Sequence, residues 1–242
     1  MVKSFIKYTF ISAVLVVLAG PWLVVSSSVG AEEIISNIVR GGVLYDKWFK
    51  VIGVDKPANT HSAWPASNTK KKGNATHRCK SCHGWDLMGK DGAYASGSYQ
   101  TGIKGLRSFE GADTARIISF MKDDTHGYAG KMADADFMDL ALFVSKGQID
   151  MDQYIDRASK KFKGDAAKGE PIYNTVCAGC HGRDGMLPKD MKPMGKVVSG
   201  NPWEGLHKVM YGQPGEGMPA LTVFGAGVAS DILAYTQTLP KE

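Results

Sequence analysis

The sequence has little cysteine, and this scarcity limits what its thiols can do. Only four cysteines occur in 242 residues, and all of them lie in two short strings, Cys79–His83 and Cys177–His181. Both strings have the pattern Cys-X-X-Cys-His. No further cysteine is available elsewhere in the chain as a metal ligand.

Charge is absent from residues 8–31, although two lysines precede them. Small residues come directly before Glu32, at a position where a signal peptidase can cut. We expect residues 1–31 to be a signal peptide and the mature protein to be periplasmic. The alternative is an anchor that stays in the inner membrane and faces the periplasm, since about 20 apolar residues span a bilayer. A Gly-Pro break and three serines in this segment favour cleavage.

Extremes of composition are also missing. Hydrophobic residues make up 43% and charged residues 22% of the chain, which excludes disordered and multi-span membrane classes. The net charge of +5 is mild, so we expect no nucleic-acid partner. The length accommodates two domains of about 100 residues each.

The two strings carry the chemistry of covalent c-type haem attachment. Their thiols stand one helical turn apart, so both reach the same edge of a porphyrin, and the next residue offers an imidazole to the iron. A zinc site, a disulfide or a redox-active cysteine pair leaves the repeated histidine unexplained. The predicted attachment residues are Cys79, Cys82, Cys177 and Cys180, and the predicted first iron ligands are His83 and His181. We therefore expect two covalently bound haem c groups.

The second half shows the helix pattern most clearly. Gly169 and Tyr173 lie eight and four positions before Cys177. A last helix is predicted from the apolar face of Val228, Ile232, Tyr235 and Leu239. We expect the two helices to cross at Gly169, with Tyr173 and Tyr235 filling the gap. Residues 164–242 resemble the class I cytochrome c fold, in which the first and last helices cross beside the haem.

The first half repeats this plan with an insertion. Gly41 and Tyr45 keep the same spacing to each other, and residues 46–75 interrupt the unit with loop-forming composition. The closing helix is predicted from Phe137, Leu140, Ala141 and Val144. The resemblance implies an all-α protein with two tandem class I cytochrome c-like domains. Their predicted bounds are 32–149 and 164–242, with a linker at 150–163.

The resemblance also implies a second axial ligand for each iron. In the second unit Met218 lies in a glycine-rich loop, 17 residues before Tyr235, and Met210 is the competing methionine. In the first unit Phe143 takes the place of Tyr235, and the residue 17 positions before Phe143 is His126.

Other groups compete with His126 in the first unit. Met132 is the nearby methionine, but it directly precedes an expected helix start, where an apolar residue commonly packs on the first turn. His61 and His77 are further alternatives. If His126 binds iron, the first haem has the lower potential, because a thioether favours ferrous iron more than an imidazole does. Electrons would then run from the first haem to the second.

The expected function is electron transfer rather than catalysis, and we assign no catalytic residue. The chain resembles two-haem class I cytochromes that shuttle electrons in bacterial respiratory chains, so its expected partners are redox proteins or respiratory complexes. The alternatives are a dihaem oxidoreductase or peroxidase, and a haem subunit of a membrane enzyme complex. Donor, acceptor and oligomeric state stay open.

Overall fold

The computed structural model describes residues 27–242, and in them the chain is helix-rich with one short β-hairpin. The α-helices are α1 (Ser27–Val51), α2 (Cys79–His83), α3 (Thr114–Lys122), α4 (Asp134–Lys146), α5 (Ala166–Ile172), α6 (Ala178–His181), α7 (Met194–Gly200), α8 (Pro202–Tyr211) and α9 (Gly225–Thr236). The strands are β1 (Ile155–Asp156) and β2 (Lys161–Phe162). This helix content agrees with the expected all-α class.

The predicted export segment falls largely outside the described residues. Residues 1–26 lie outside them, and residues 27–31 are the first of α1. Within residues 27–242, no helix has both the length and the apolar character needed to cross a bilayer.

Two pairs of helices cross in direct backbone contact, each at a glycine. α1 crosses α4 at Gly41, where an added Cβ would overlap the carbonyl oxygen of Asp139. α5 crosses α9 at Gly169, where an added Cβ would overlap the carbonyl oxygen of Asp231. Only glycine allows helices to approach this closely. Both predicted crossings are confirmed.

An aromatic pair lies beside each crossing. The ring centroids of Tyr173 and Tyr235 are 5.4 Å apart, which confirms the predicted pair. Tyr45 and Phe143 occupy the matching positions in the first half, with centroids 5.1 Å apart. Both pairs are tilted rather than stacked face to face, as aromatic side chains prefer.

Helix α4 begins where the sequence predicts a helix start. The carboxylate of Asp136 accepts a hydrogen bond from the backbone N–H of Ala133 at 2.9 Å and so caps the first turn. Met132 lies just before this cap and is only 9% exposed within the core. Its side chain is therefore packed in the core.

The segment that joins the two helix pairs contains a short β-hairpin. Residues 150–163, expected to be a linker, contain the antiparallel pair β1 and β2. The backbone N–H of Phe162 donates to the side chain of Gln237 at 3.0 Å, and Arg157 pairs with Asp86 at 2.9 Å. Residues 150–163 thus contact both the first and the second half of the chain. The first residues of the predicted insertion, 46–51, belong to α1.

Helix α8 of the second half packs against α1 of the first. His207 is fully buried there, and its Nε2 contacts the carbonyl oxygen of Gly42 at 2.9 Å. Asp46, only 1% exposed, pairs with Lys208 at 2.7 Å and with Arg78. Burial opposes ionisation of this carboxyl, but Lys208 and Arg78 outweigh it and lower the pKa of Asp46 to about 2.

We expect Asp46→Asn to lower the free energy of unfolding by about 3 kcal/mol at pH 7, because two cations lose their buried partner. The ionised carboxylate stabilises the fold above its ordinary pKa of 3.8, and this contribution is lost as pH falls towards about 2. The difference between variant and wild type should therefore disappear over that range. Denaturant unfolding at several pH values measures it.

Asp91→Asn is the matched control, because Asp91 forms an exposed pair with Lys90. It should change the free energy of unfolding by less than about 1 kcal/mol at any pH. An Asp46→Asn protein as stable as wild type at pH 7 would show that the buried pairing contributes nothing.

Candidate haem-binding sites

The two Cys-X-X-Cys-His strings adopt the same local structure. Both histidines end a short helix, and each is followed by a glycine with positive φ, 82° at Gly84 and 76° at Gly182. A tyrosine hydroxyl donates to the carbonyl oxygen of each glycine, Tyr45 at 2.6 Å and Tyr173 at 3.0 Å. The tyrosines beside the helix crossings thus also fix the ends of the two strings.

In both histidines, Nδ1–H forms a hydrogen bond with a backbone carbonyl oxygen. Nδ1–H of His83 donates to the carbonyl oxygen of Lys104 at 2.8 Å, and Nδ1–H of His181 donates to that of Leu187 at 3.3 Å. This contact fixes the ring and leaves Nε2 free for a metal. It is the arrangement that iron ligation requires of a histidine.

The first string opens onto a cavity of about 360 Å³. Cys79, Cys82, His83 and His126 all line this cavity. Most of the remaining wall is apolar and includes Leu106, Phe109, Ile117, Phe120, Leu140 and Val144. A large apolar cavity with a few convergent polar groups is typical of a cofactor site, so these residues fit a haem.

The rings of His83 and His126 face each other across this cavity. Their centroids are 6.3 Å apart, and their planes differ by 22°. Two imidazoles on opposite sides of one metal have centroids about 6 Å apart, given about 2 Å for each bond and about 1 Å from nitrogen to ring centre. The observed spacing matches this requirement.

His126 is held with its Nε2 free, as His83 is. One carboxylate oxygen of Asp123 accepts from the backbone N–H of His126 at 2.8 Å and from its ring Nδ1–H at 3.1 Å. A carboxylate on the distal ring nitrogen is a common support for a metal-binding histidine.

The competing ligands of the first site are placed differently. Met132 and His77 are not among the residues that line the cavity, and Met132 packs in the core. His61 does line the cavity, but its Nε2 contacts the carbonyl oxygen of His126 at 2.9 Å. Sequence reasoning missed Met121, which lines the cavity from α3. The apolar face that Met121 shares with Ile117 was the available signal.

Burial controls the protonation of the first string. It raises the pKa of Cys79 to about 12 and that of Cys82 to about 11, so both thiols are protonated at neutral pH. Burial also lowers the pKa of His83 to about 4. The imidazole is therefore neutral, which is the form that binds a metal.

The second string lies in a more open setting. Cys177, His181 and Met218 are half-buried and Cys180 is exposed, and none of the four lines the cavity of the first string. The Met218 loop follows Gly212 and Gly215, whose φ values of 95° and 71° turn the chain. The loop ends where the backbone N–H of Leu221 donates to the carbonyl of Val209 at 2.9 Å. The pairing of His181 with Met218 stays a prediction.

The competing methionine of the second unit is buried. Met210 is 4% exposed on α8 and belongs to the core. None of the four cysteines forms a disulfide bond in residues 27–242. In the part of the chain that the structure describes, no three His, Cys, Asp or Glu side chains gather around one metal position.

In the second half, the helix crossing at Gly169 lies beside the Cys-X-X-Cys-His helix. Residues 164–235 match the family model described as cytochrome C oxidase, cbb3-type, subunit III. The match supports a c-type cytochrome with covalently bound haem c and electron transfer as its chemistry. No curated protein and no solved structure matches the chain significantly.

Proposed function

We propose that the chain is a dihaem c-type cytochrome that transfers electrons between redox proteins or respiratory complexes. The observation that carries this proposal is the cavity that gathers Cys79, Cys82, His83 and His126. This cavity lies outside the segment that matches the family model. A second haem site in the first half accounts for its apolar wall and for its facing histidines.

The repeated local structure supports two tandem domains, 32–149 and 164–242. In each half, two helices cross at a glycine, and a tyrosine hydroxyl donates a hydrogen bond to the glycine after the Cys-X-X-Cys-His string. In each half, the histidine of the string also donates a hydrogen bond from Nδ1–H to a backbone carbonyl oxygen. Residues 150–163, the predicted linker, contain a hairpin and bind the side chain of Gln237. We also propose that the mature protein is periplasmic, which amino-terminal sequencing of material from the native host tests.

The residues of the first site bind and enclose the cofactor. A haem supplies one-electron oxidation and reduction at its iron. Cys79 and Cys82 would hold this group through thioether links, and His83 and His126 would supply imidazoles to its iron. The apolar wall would exclude water from the bound group, and two imidazole ligands would leave no position for a substrate on the iron. These features support an electron carrier over a haem oxidoreductase or peroxidase.

The two sites should differ in potential, with the imidazole pair of the first site giving the lower value. Replacing His126 with methionine should raise that lower potential by on the order of 0.1 V, because a thioether favours ferrous iron. A redox titration measures both potentials. The oxidised wild type should show one near-infrared sulfur-to-iron band per two haems, and His126→Met should show two.

The reciprocal variant is Met218→His, which should remove the near-infrared band and lower the upper potential. Two bands in the wild type would assign a methionine to the first iron, and Met121 lines that cavity whereas Met132 does not. Two equal potentials, or an unchanged titration in His126→Met, would also contradict the proposed ligands. Ready carbon monoxide binding by the reduced wild type would favour the oxidoreductase or peroxidase.

A further inference from the structure

We propose that His61 is a positioning residue, which holds the backbone at His126 and so keeps that imidazole in place as the sixth ligand of the first haem. The proposal rests on the proposed function. It assigns to the inserted segment a part in the haem site itself, because residue 61 lies within the insertion at 46–75.

Both ring nitrogens of His61 are engaged. Nδ1 accepts a hydrogen bond from the backbone N–H of Ala63 at 3.1 Å, so the proton of the neutral ring is on Nε2. Nε2–H then donates to the carbonyl oxygen of His126 at 2.9 Å. The local turn at Ala63 therefore selects the tautomer that the contact with His126 needs.

His61 is anchored to the chain just before the first string. Its backbone N–H donates to the hydroxyl of Thr76 at 2.9 Å, and Thr76 is only 1% exposed. That hydroxyl donates in turn to the carbonyl oxygen of Gly73 at 2.7 Å. Thr76 lies three residues before Cys79. A fixed link thus runs from the attachment string to the residue on the opposite side of the cavity.

The hydrogen bonds of His126 divide into two kinds. Two of them go to Asp123, which belongs to the same loop between α3 and α4. The third, from His61, comes from outside this loop. The loop contains Gly127 with φ 61° and Gly130 with φ 73°, so glycines bracket the segment that follows His126. An external contact to the backbone limits how far the loop can move away from the iron.

His77 provides a matched comparison within the same region. Its Nε2 contacts the carbonyl oxygen of Asn59 at 2.9 Å, the same length as the contact of His61 with His126. The two rings pack against each other with centroids 4.8 Å apart. His77 therefore holds the inserted segment in the same way, without contacting His126.

The test uses the holoprotein and carbon monoxide as a probe of ligand displacement. His61→Leu keeps the bulk and removes the donor, whereas His61→Gln places an amide N–H near the position of Nε2. We expect the reduced His61→Leu protein to bind carbon monoxide at one haem at least tenfold faster than wild type. His61→Gln should stay within about twofold of wild type, and so should His77→Ala. The high-spin fraction of the oxidised protein should follow the same order.

An unchanged rate in His61→Leu would overturn the proposal, and so would an equal increase in His77→Ala, which would indicate loop packing alone. If His61→Leu does not accumulate with haem, His61→Ala replaces it under the same criteria. The His126→Ala variant distinguishes failure of the proposed role of His61 from failure of the proposed ligation by His126. If His126→Ala leaves carbon monoxide binding as in wild type, His126 is not the ligand, whatever His61 does.

Discussion

Replacing both Cys79 and Cys82 with alanine should yield a protein that carries one covalently bound haem instead of two. The two thiols line the same cavity as His83 and His126, so their removal eliminates the thioether links of that site alone. The remaining haem should keep methionine ligation. Mass spectrometry of protein from a host that matures c-type cytochromes measures the number of haems.

The matched control replaces Cys177 and Cys180 in the second string. It should also lose one haem, but the haem that remains should lack the near-infrared sulfur-to-iron band. The pair of variants therefore assigns each ligand set to one half of the chain. One haem in both the wild type and the Cys79→Ala/Cys82→Ala protein would contradict a haem in the first half and indicate a single-haem cytochrome.

Replacing Gly169 with alanine should destabilise the second half severely, by more than about 4 kcal/mol in the free energy of unfolding. The added Cβ would overlap the backbone carbonyl of Asp231, which cannot rotate aside as a side chain can. α5 and α9 would have to separate, and the contact between Tyr173 and Tyr235 would open. Denaturant unfolding followed by haem absorbance and circular dichroism measures the loss.

Gly227→Ala is the control on the same helix pair. Gly227 lies in α9 with open space around the position of a Cβ. Alanine there should leave stability unchanged or raise it by up to about 1 kcal/mol, because glycine is a poor helix former. A Gly169→Ala protein as stable as wild type would show that the two helices can separate at little cost.

Local spacing made much of the fold predictable. Glycines at 41 and 169, with a tyrosine four positions later, gave the helix crossings, because backbone contact needs a glycine. The helix start after Met132 followed from the acidic first turn, which stabilises the amino-terminal end of a helix. Both features depend on residues within a few turns of one another.

Contacts across the chain were less predictable. Residues 150–163 have a polar composition that indicates a linker, yet a few buried apolar residues and Gln237 hold them as a hairpin. His207 had no assigned role in the sequence, and only the packing of α8 on α1 shows that it joins the halves. No local pattern records which distant backbone carbonyl a histidine will meet.

The sequence by itself indicated c-type haem chemistry, because thioether attachment and iron ligation need cysteine and histidine at a spacing fixed by one helical turn. It also determined the two helix crossings. Only the tertiary structure decided that His126 faces His83, that Met132 is used in packing, and that His61 contacts the backbone of His126. The physical reason is that these relations join residues far apart in sequence, and the folded backbone alone brings them within reach of one another.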